Sequence, residues 1–390
     1  MMKVGYVFSG TSLSAGSTKS LLLILEYMKS QGHTCYVICP DSNGAYRYLT
    51  KRGFRCLNVP YRFASLPKHE SIKDLLYFIP KYFARKILNY RAVVKCVNLL
   101  KNEDIQLIHS NTSVTNIGNR IAEKLKCVHI THIREYGDLD FNQIMPGINR
   151  RLNRHGNYNI CITRGIYSHR RLNDNNSIVI YNGIESKDYV RFNPNKEPFI
   201  LYAGRIEKTK GIETLIDAYI KVVQEKTSYK LKLLIAGGAA SPPQLELYEE
   251  LKKRLSKYPE VENRVEWLGD IDNISDYYYN AYVTVVPSYF EGFGRVMAEA
   301  SFNGSLVLGR NTGGTKEQFD NGFAYTGDEI GLRFDTEDEL IKQLKIIENF
   351  DSTNFFDMIK RSQSAVVQFY SKESYVESVF KFYNEILNIK

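Results

Sequence analysis

The chain has 390 residues, more than one typical domain, so two domains are expected. Hydrophobic residues make up 43%, charged residues 24%, and the net charge is +9, a globular composition that excludes a disordered chain. The longest aliphatic run near the N-terminus, residues 21–25, is too short to cross a bilayer, and no signal-peptide pattern is found.

The first half alternates predicted strands and helices. Such alternation predicts a parallel sheet with helices on both faces. The predicted strands are Lys3–Ser9, Thr34–Cys39, Cys56–Pro60, Ile105–Ser110, Cys127–Thr131, Asn159–Thr163 and Ser177–Tyr181, and the predicted helices are Thr18–Ser30 and Ile117–Leu125.

The segment Ile72–Leu100 differs from the other predicted helices because it is long, basic and amphipathic, with an interruption expected at Pro80. Residues 1–190 carry 27 basic and 13 acidic residues, a net charge of +14, whereas residues 191–390 carry 25 and 30, a net charge of −5. A basic amphipathic helix can lie on an anionic membrane. An ordinary surface helix packed on the sheet is the alternative, and both interpretations stay open.

The second half repeats the pattern of strands and helices. An Asn-Gly turn at Tyr181–Ile184, followed by a polar run to Pro198, marks the boundary between the halves. The expected domains are 1–185, 186–368 and a C-terminal helix, 369–390. The predicted strands are Phe199–Ala203, Lys230–Ala236, Val265–Leu268, Tyr282–Pro287 and Ser305–Gly309, with helices after Gly211, at Gly294–Asn303 and at Glu373–Leu387.

A first motif, Gly204–Gly211, follows the first strand of the second half and contains Arg205 and Lys210. A diphosphate leaving group needs positive charge where its own negative charge develops. Arg offers a fork to two oxygens, and Lys offers a mobile point charge. The motif therefore indicates a diphosphate site, with a solvated loop as the alternative.

A second motif, Pro287–Ala300, joins a strand to a helix through a glycine-flanked aromatic residue. Its glycines permit close backbone approach, and the free amides of a helix start can hold an anion. Glu299 is predicted to accept two hydroxyls such as a ribose diol offers, and Glu291 to contact a neighbouring part of the same ligand. Helix-start carboxylates are the alternative. A third motif, Asn311–Glu317, adds a double-glycine turn that is only weakly informative.

Together these motifs resemble the GT4 family of retaining glycosyltransferases, in order and over nearly the whole chain. The glycine-rich first loop is represented by Ala15-Gly16-Ser17, where Ala15 replaces the family's first glycine. The most specific element is the pair of glutamates eight residues apart. The other matching segments are Gly32-His33, Ile108–Asn111, Thr131-His132, Tyr181–Ile184 and the Gly204–Gly211 loop.

The resemblance implies a GT-B fold, in which two Rossmann-like domains face each other across a cleft and the C-terminal helix returns to the first domain. It implies transfer with retention, without a metal or cofactor, from a nucleotide diphosphate sugar, most commonly a UDP-sugar. The partners expected are that donor and a glycan or lipid-linked acceptor of polysaccharide or glycoconjugate synthesis, and the lipid-linked acceptor is suggested by the charge asymmetry between the halves. The implied catalytic residues are Arg205, Lys210, Glu291 and His132; donor binding is assigned to Gly16, Arg205, Lys210, Glu291, Gly292, Phe293, Gly294 and Glu299.

Several alternatives remain open at this point. A sugar-nucleotide epimerase on the same fold would need no acceptor, and a non-catalytic transferase-like subunit would need no charged site. Asp138-Leu139-Asp140 and Asp270-Ile271-Asp272 resemble metal triplets, but Arg205 and Lys210 supply the charge that a metal would bring, so no metal is expected.

Two further expectations concern the compartment and partners. The six cysteines, all between Cys35 and Cys161, are expected to be buried reduced thiols in a cytoplasmic protein, which the membrane interpretation would place at the inner face of the membrane. A nucleic-acid partner is not expected, since no recognition motif accompanies the basic half.

Overall fold

The computed structural model describes residues 1–67, 72–139, 143–144, 147–184, 190–349 and 352–388. The chain divides into two compact units. Unit 1 contains Met1–Gly183 together with Lys372–Lys390, and unit 2 contains Ile184–Ser371.

Unit 1 is built on a seven-stranded parallel sheet in the order β3-β2-β1-β5-β6-β8-β9. The order reverses between β1 and β5, the position where open α/β sheets bind ligands beyond their carboxyl ends. The strands are β1 (Lys3–Val7), β2 (Thr34–Cys39), β3 (Arg55–Asn58), β4 (Leu66–Pro67), β5 (Leu107–Ser110), β6 (Val128–Ile133), β7 (Gln143–Ile144), β8 (Asn157–Cys161) and β9 (Ser177–Val179), of which β4 and β7 form a separate antiparallel pair.

Helices cover both faces of this sheet. The helix α1 begins at Gly16, two residues before its predicted start, and buries Leu21, Leu25 and Met28 in the core as their spacing predicts. The helices are α1 (Gly16–Ser30), α2 (Gly44–Lys51), α3 (Ile72–Leu100), α4 (Ile117–Leu125), α5 (Ile148–Leu152) and α6 (Arg164–His169).

The expected interruption of α3 at Pro80 is wrong, because one helix runs from Ile72 to Leu100 with Pro80 inside it. Proline removes one backbone hydrogen bond from a helix interior. The C-terminal half of α3 packs Ala92, Val93 and Cys96 into the core, and this burial stabilises the helix beyond its weak point.

Unit 2 is built on a six-stranded parallel sheet in the order β12-β11-β10-β13-β14-β15. Its strand order also reverses once, between β10 and β13. The strands are β10 (Glu197–Ala203), β11 (Lys232–Ala236), β12 (Val265–Gly269), β13 (Ala281–Val286), β14 (Leu306–Arg310) and β15 (Leu332–Phe334).

The longer helices of unit 2 bury apolar faces against this sheet; α7, for example, places Leu215, Ile216, Tyr219 and Val223 in the core. The helices are α7 (Ile212–Glu225), α8 (Pro242–Leu255), α9 (Pro259–Glu262), α10 (Ile274–Asn280), α11 (Arg295–Phe302), α12 (Gly313–Thr326), α13 (Glu337–Ile347) and α14 (Ser352–Tyr370).

The last helix, α15 (Lys372–Ile386), belongs to unit 1. It contacts α1 and places Tyr375, Val379 and Tyr383 in the core of that unit. Within the described part of the chain, no helix has the length and apolarity needed to cross a membrane.

Candidate functional site

Polar side chains gather where β5 and β6 end in unit 1. His109 lies on β5 and Asn111 directly follows it, whereas His132 lies on β6 and Arg134 follows that strand. All four side chains are buried. The carboxyl ends of parallel strands share one edge of the sheet, so these residues lie where a ligand of this fold class binds.

Arg134 connects the segments that meet at this edge. Its Nε donates to the backbone oxygen of Asn111 at 3.1 Å and to the Asn111 Oδ1 at 2.9 Å. Its NH1 donates to the Asn182 Oδ1, and its NH2 donates to the hydroxyl of Tyr375 on α15 at 3.0 Å. None of these acceptors is a carboxylate.

The first loop joins the same network. The Asn111 Nδ2 donates to the backbone oxygen of Ser17 at 3.0 Å, one residue after Gly16, where α1 begins. The Arg134 NH2 lies 3.3 Å from the His132 Nδ1. His132 is therefore connected through Arg134 and Asn111 to Ser17, the residue after Gly16.

The proton positions of the two histidines follow from these contacts. Arg134 can only donate, so the His132 Nδ1 is an acceptor and neutral His132 carries its proton on Nε2. The His109 Nε2 lies 3.2 Å from the same Nδ1 and must donate to it. The His109 Nδ1 then accepts from the Tyr383 hydroxyl at 2.5 Å.

The result is an oriented chain of donors from Tyr383 through His109 to His132. Among the described residues, the His132 Nε2 has no hydrogen-bond partner. A buried, unpaired N–H is costly, by about 1–3 kcal/mol, and is a donor available to a ligand oxygen.

Both histidines are held neutral. Burial first, and then the charge of Arg134, lower the pKa of His109 and of His132 well below the ordinary value. His132 can therefore supply a neutral hydrogen-bond donor, and the positive charge at this edge of the sheet belongs to Arg134.

Tyr383→Phe is expected to lower the free energy of unfolding by about 1–3 kcal/mol, because it leaves the buried His109 Nδ1 without a donor. Urea unfolding measures this change, with the exposed Tyr90→Phe as control. In the wild type, nitrogen NMR of the histidine rings should show both His109 and His132 protonated at Nε2. A proton on the His132 Nδ1 would contradict the assigned order of donors.

In unit 2, the first predicted motif forms the loop between β10 and α7, with a short 3-10 helix at Lys208–Lys210. The Lys210 Nζ lies 2.8 Å from the Glu291 Oε1, which also accepts from the Ser288 hydroxyl at 2.7 Å. Arg205 is exposed, and its NH2 lies 3.2 Å from the Glu207 Oε2. The structure thus brings Lys210 and Glu291 together and leaves Arg205 at the solvent side of the loop.

Hydrogen bonds join the three predicted motifs of unit 2. The Tyr289 amide donates to the Thr209 backbone oxygen at 3.1 Å, which ties the second motif to the first. The Thr312 hydroxyl donates to the Tyr289 backbone oxygen at 3.0 Å, and the Gly314 amide donates to that of Glu291 at 2.8 Å. The third motif, only weakly informative in the sequence, therefore supports the loop that carries Glu291.

Gly211 is required by the close approach of two of these loops. Its φ is +67°, and a Cβ there would lie 2.1 Å from the backbone oxygen of Pro287. Any side chain would push the Lys210 loop away from the end of β13.

The segment Gly292–Gly294 leads into α11. The Phe293 ring is buried, and its centroid lies 5.4 Å from that of Tyr370 in an edge-on contact. Gly294, with φ of +84°, precedes the first turn of α11, and its backbone oxygen accepts from the Gln318 Nε2 at 3.0 Å. The aromatic side chain is thus an anchor for the segment that leads into α11.

Glu299 lies on α11 and pairs with Arg295 one turn earlier. The Arg295 Nε and NH2 lie 3.1 and 2.9 Å from the Glu299 Oε1. Sequence reasoning gave Arg295 no role, although its spacing of four from Glu299 was the available signal. Arg295 orients the carboxylate and leaves acceptor capacity, because a carboxylate has about four lone-pair positions.

Arg310, at the end of β14, is a second residue that sequence reasoning did not identify. Its Nε donates to the Pro287 backbone oxygen at 3.1 Å, its NH1 to that of Asp335 at 2.8 Å, and it lies 4.7 Å from the Tyr289 ring centroid. Arg310 therefore holds the start of the second motif in place through Pro287 and Tyr289. No local sequence pattern indicates these two contacts.

The first Asp-x-Asp triplet, Asp138-Leu139-Asp140, is described only in part. Asp138 accepts from the His169 Nε2 at 2.8 Å, and Asp140 lies outside the described residues. Within the described ranges, no group of three His, Cys, Asp or Glu side chains is arranged to hold a metal ion.

The chain is similar to known glycosyltransferases along most of its length. A family model described as Glycosyl transferases group 1 matches residues 184–354, and one described as Glycosyltransferase Family 4 matches residues 15–188. An uncharacterized glycosyltransferase of Methanocaldococcus jannaschii is 26% identical over 298 residues, covering 74% of this chain and 78% of that protein. The N-acetyl-alpha-D-glucosaminyl L-malate synthase of Bacillus anthracis is 22% identical over 317 residues, covering 75% and 78%.

The fold has counterparts among solved structures. The crystal structure of HepE from Anabaena in complex with UDP and glucose matches with a TM-score of 0.77 at 16% identity, covering 99% of this chain and 100% of that one. Fold and family models together define a glycosyltransferase with two parallel-sheet α/β domains of the GT-B type, which confirms the predicted fold class. Within that class the chain belongs to the GT4-type glycosyltransferases, as the resemblance implied.

Proposed function

We propose that this protein is a retaining glycosyltransferase that takes its sugar from a nucleotide diphosphate donor, with UDP as the first nucleotide to test. The observation that carries the proposal is the cluster of Lys210, Glu291 and Ser288 within the three bonded loops of unit 2. The Anabaena protein that resembles this chain was crystallised with UDP and glucose, which supports the choice of donor.

In this proposal, Lys210 and Arg205 stabilise the departing diphosphate. An ammonium has three N–H donors, so Lys210 can keep its contact with Glu291 and still donate to a phosphate oxygen. Glu291 and the backbone of Gly292 and Gly294 hold the donor sugar, and Glu299 accepts from the ribose hydroxyls. Gly16 lets the first loop approach the donor, and neutral His132 donates a hydrogen bond from its Nε2–H to a sugar oxygen.

The reaction balances without an enzymatic nucleophile. The bond between the anomeric carbon and the diphosphate oxygen breaks, and its electron pair leaves with the nucleoside diphosphate. The acceptor oxygen forms the new bond on the same face, and its proton passes to the leaving phosphate oxygen. Preorganised positive charge at the leaving group is the main contribution of the protein.

Nucleotide binding tests the donor site. UDP or GDP should raise the melting temperature of the wild type by binding the folded state, and Arg205→Ala and Lys210→Ala should each reduce that shift. Glu299→Ala should weaken donor binding by about 1.5–3 kcal/mol, and Glu299→Gln by less. The exposed Glu246→Ala is the matched control. Unchanged nucleotide affinity in all three alanine variants would place the site elsewhere.

Activity is expected to survive EDTA. Lys210, Arg205 and the amides at the start of α11 supply the electrostatic stabilisation that a metal would otherwise provide. Sugar transfer should be measured before and after chelation. Complete loss, restored by Mg²⁺ or Mn²⁺, would contradict metal-independent transfer.

We propose a glycan or lipid-linked acceptor in polysaccharide or glycoconjugate synthesis, reached at the cytoplasmic face of an anionic membrane. The net charge of +14 over residues 1–190 supports this location. Product analysis with and without a lipid-linked sugar acceptor tests the acceptor class. Conversion of the donor alone into a stereoisomer would indicate the epimerase instead.

A further inference from the structure

One face of α3 exposes large apolar side chains in a regular row. These residues are 42% to 63% exposed, and successive members are 4, 4, 3 and 4 positions apart along the chain. The residues of this row, called the apolar row of α3, are Ile79, Phe83, Ile87, Tyr90 and Val94.

The apolar row is separate from the face that α3 buries in unit 1. With 3.6 residues per turn, the five row positions fall within an arc of about 80°. The buried positions of the same stretch, Ala92, Val93, Cys96 and Leu100, lie on another side of the helix. The fold therefore uses one apolar face of α3 and leaves a second face exposed.

The charges next to the apolar row are all positive. Lys86 and Arg91 flank the row on its two sides, and residues 79–100 contain no acidic residue. Two other basic residues of α3 contact the protein itself. The Lys95 Nζ donates to the Asn58 backbone oxygen at 3.2 Å, and the Arg85 guanidinium lies 5.1 Å from the Phe78 ring centroid.

We propose that the apolar row inserts into the interfacial region of an anionic lipid leaflet, with Lys86 and Arg91 at the headgroups. A helix with an apolar stripe bordered by cations has the chemistry of an in-plane membrane helix. Membrane binding by α3 would bring the enzyme to a lipid-linked acceptor, and this role rests on the proposed function. The binding itself does not depend on that function.

A second copy of this chain fits the apolar row less well than a lipid surface. In a two-fold interface the same patch contacts itself, so Lys86 and Arg91 would face the same cations of the partner. No acidic residue between positions 79 and 100 is available to neutralise them. An anionic leaflet would both neutralise Lys86 and Arg91 and bury the apolar row.

Insertion of apolar side chains changes the expected salt dependence. Binding by charge alone disappears as salt screens it, over about 8 Å at physiological ionic strength. Burial of Phe83, Ile87 and Tyr90 is not screened, so part of the binding should remain at high salt.

Vesicle co-sedimentation of the full chain tests the proposal without using activity, so its failure is distinct from failure of the proposed function. Vesicles of phosphatidylcholine alone are compared with vesicles that also contain phosphatidylglycerol, at low and high salt. The row variant is Phe83→Ser with Tyr90→Ser, and the flank variant is Lys86→Ser with Arg91→Ser. The control variant is Leu245→Ser with Phe323→Ser, two exposed apolar residues of unit 2.

The wild type should prefer anionic vesicles and keep measurable binding at high salt. The row variant should lose at least about tenfold in affinity at both salt concentrations, because each large side chain loses its burial. The flank variant should lose the preference for anionic lipid, and the control should bind like the wild type. Unfolding curves of each variant check that the fold is intact.

Three outcomes would overturn the proposal. The first is equal binding by the row variant and the wild type. The second is binding that vanishes completely at high salt, which leaves charge alone. The third is a lipid-free dimer, seen by analytical ultracentrifugation, that the row variant converts to monomer, which would make the apolar row a self-association surface.

Discussion

Replacing Lys210 by alanine should lower kcat/KM for sugar transfer by roughly 10²–10³-fold, the usual effect of removing one preorganised donor from developing negative charge. Lys210 lies in the loop that Gly211 and Pro287 bring against the end of β13, and it is already aligned by Glu291 at 2.8 Å. The loss should fall mainly on kcat, because the charge of the diphosphate increases as the bond breaks.

The neighbouring Lys208 provides a matched control. It lies in the same 3-10 helix and is exposed, so Lys208→Ala should change kcat/KM by no more than about twofold. Lys210→Arg should fall between the two, since it keeps the charge and alters its geometry. Steady-state kinetics with purified variants measure the series. Equal losses in Lys208→Ala and Lys210→Ala would refute a specific role for Lys210.

Acidification should unfold unit 1 while unit 2 remains native. All seven histidines lie between positions 33 and 169, and unit 2 contains none. Burial lowers the pKa of His129 to about 3, and burial with Arg134 lowers those of His109 and His132 well below the ordinary value. The unfolded chain therefore binds protons below about pH 6.5 that the folded unit does not.

The sign and size of this effect follow from proton linkage. The stability is complete above about pH 6.5 and decreases as the pH falls below it, by about 1.4 kcal/mol per pH unit for each histidine. Three such histidines together lower the free energy of unfolding by about 4 kcal/mol for each pH unit of acidification. Since the free energy of unfolding of a typical domain is about 5–15 kcal/mol, unit 1 should unfold within a few pH units.

Two probes separate the units in this experiment. Trp267, the single tryptophan, lies on β12 and reports unit 2 by fluorescence, and hydrogen exchange of β5 and β6 peptides reports unit 1. His129→Gln should reduce the pH dependence of unit 1 by the contribution of one histidine. Loss of both signals at the same pH would contradict the prediction.

The parts of the site that the sequence predicted are those encoded by local spacing. The Gly204–Gly211 loop and the glutamates at 291 and 299 lie within short segments whose glycines and charges are constrained by a strand-to-helix turn. The pair of Arg295 with Glu299 was equally local, and its spacing of four residues was available.

The remaining parts depend on contacts that no local pattern contains. His109 and Tyr383 are 274 positions apart, and Arg134 meets Tyr375 across 241. A buried arginine without a carboxylate acceptor also gives no signal in the composition, because Arg134 donates to backbone, amide and hydroxyl oxygens and to a ring nitrogen. The continuity of α3 through Pro80 likewise depended on burial of its C-terminal half, which local propensity does not report.

The assignment of α15 to unit 1 has a consequence for synthesis on the ribosome. Unit 2 is one uninterrupted stretch, whereas unit 1 needs both Met1–Gly183 and the helix that starts at Lys372. During translation all the strands of the unit 1 sheet emerge before those of unit 2, but unit 2 can complete its fold first, because unit 1 still waits for Tyr375 and Tyr383. A nascent chain released before that helix would keep the bonded loops of unit 2 that carry Lys210 and Glu291, and would lack the hydroxyls that orient Arg134 and His109.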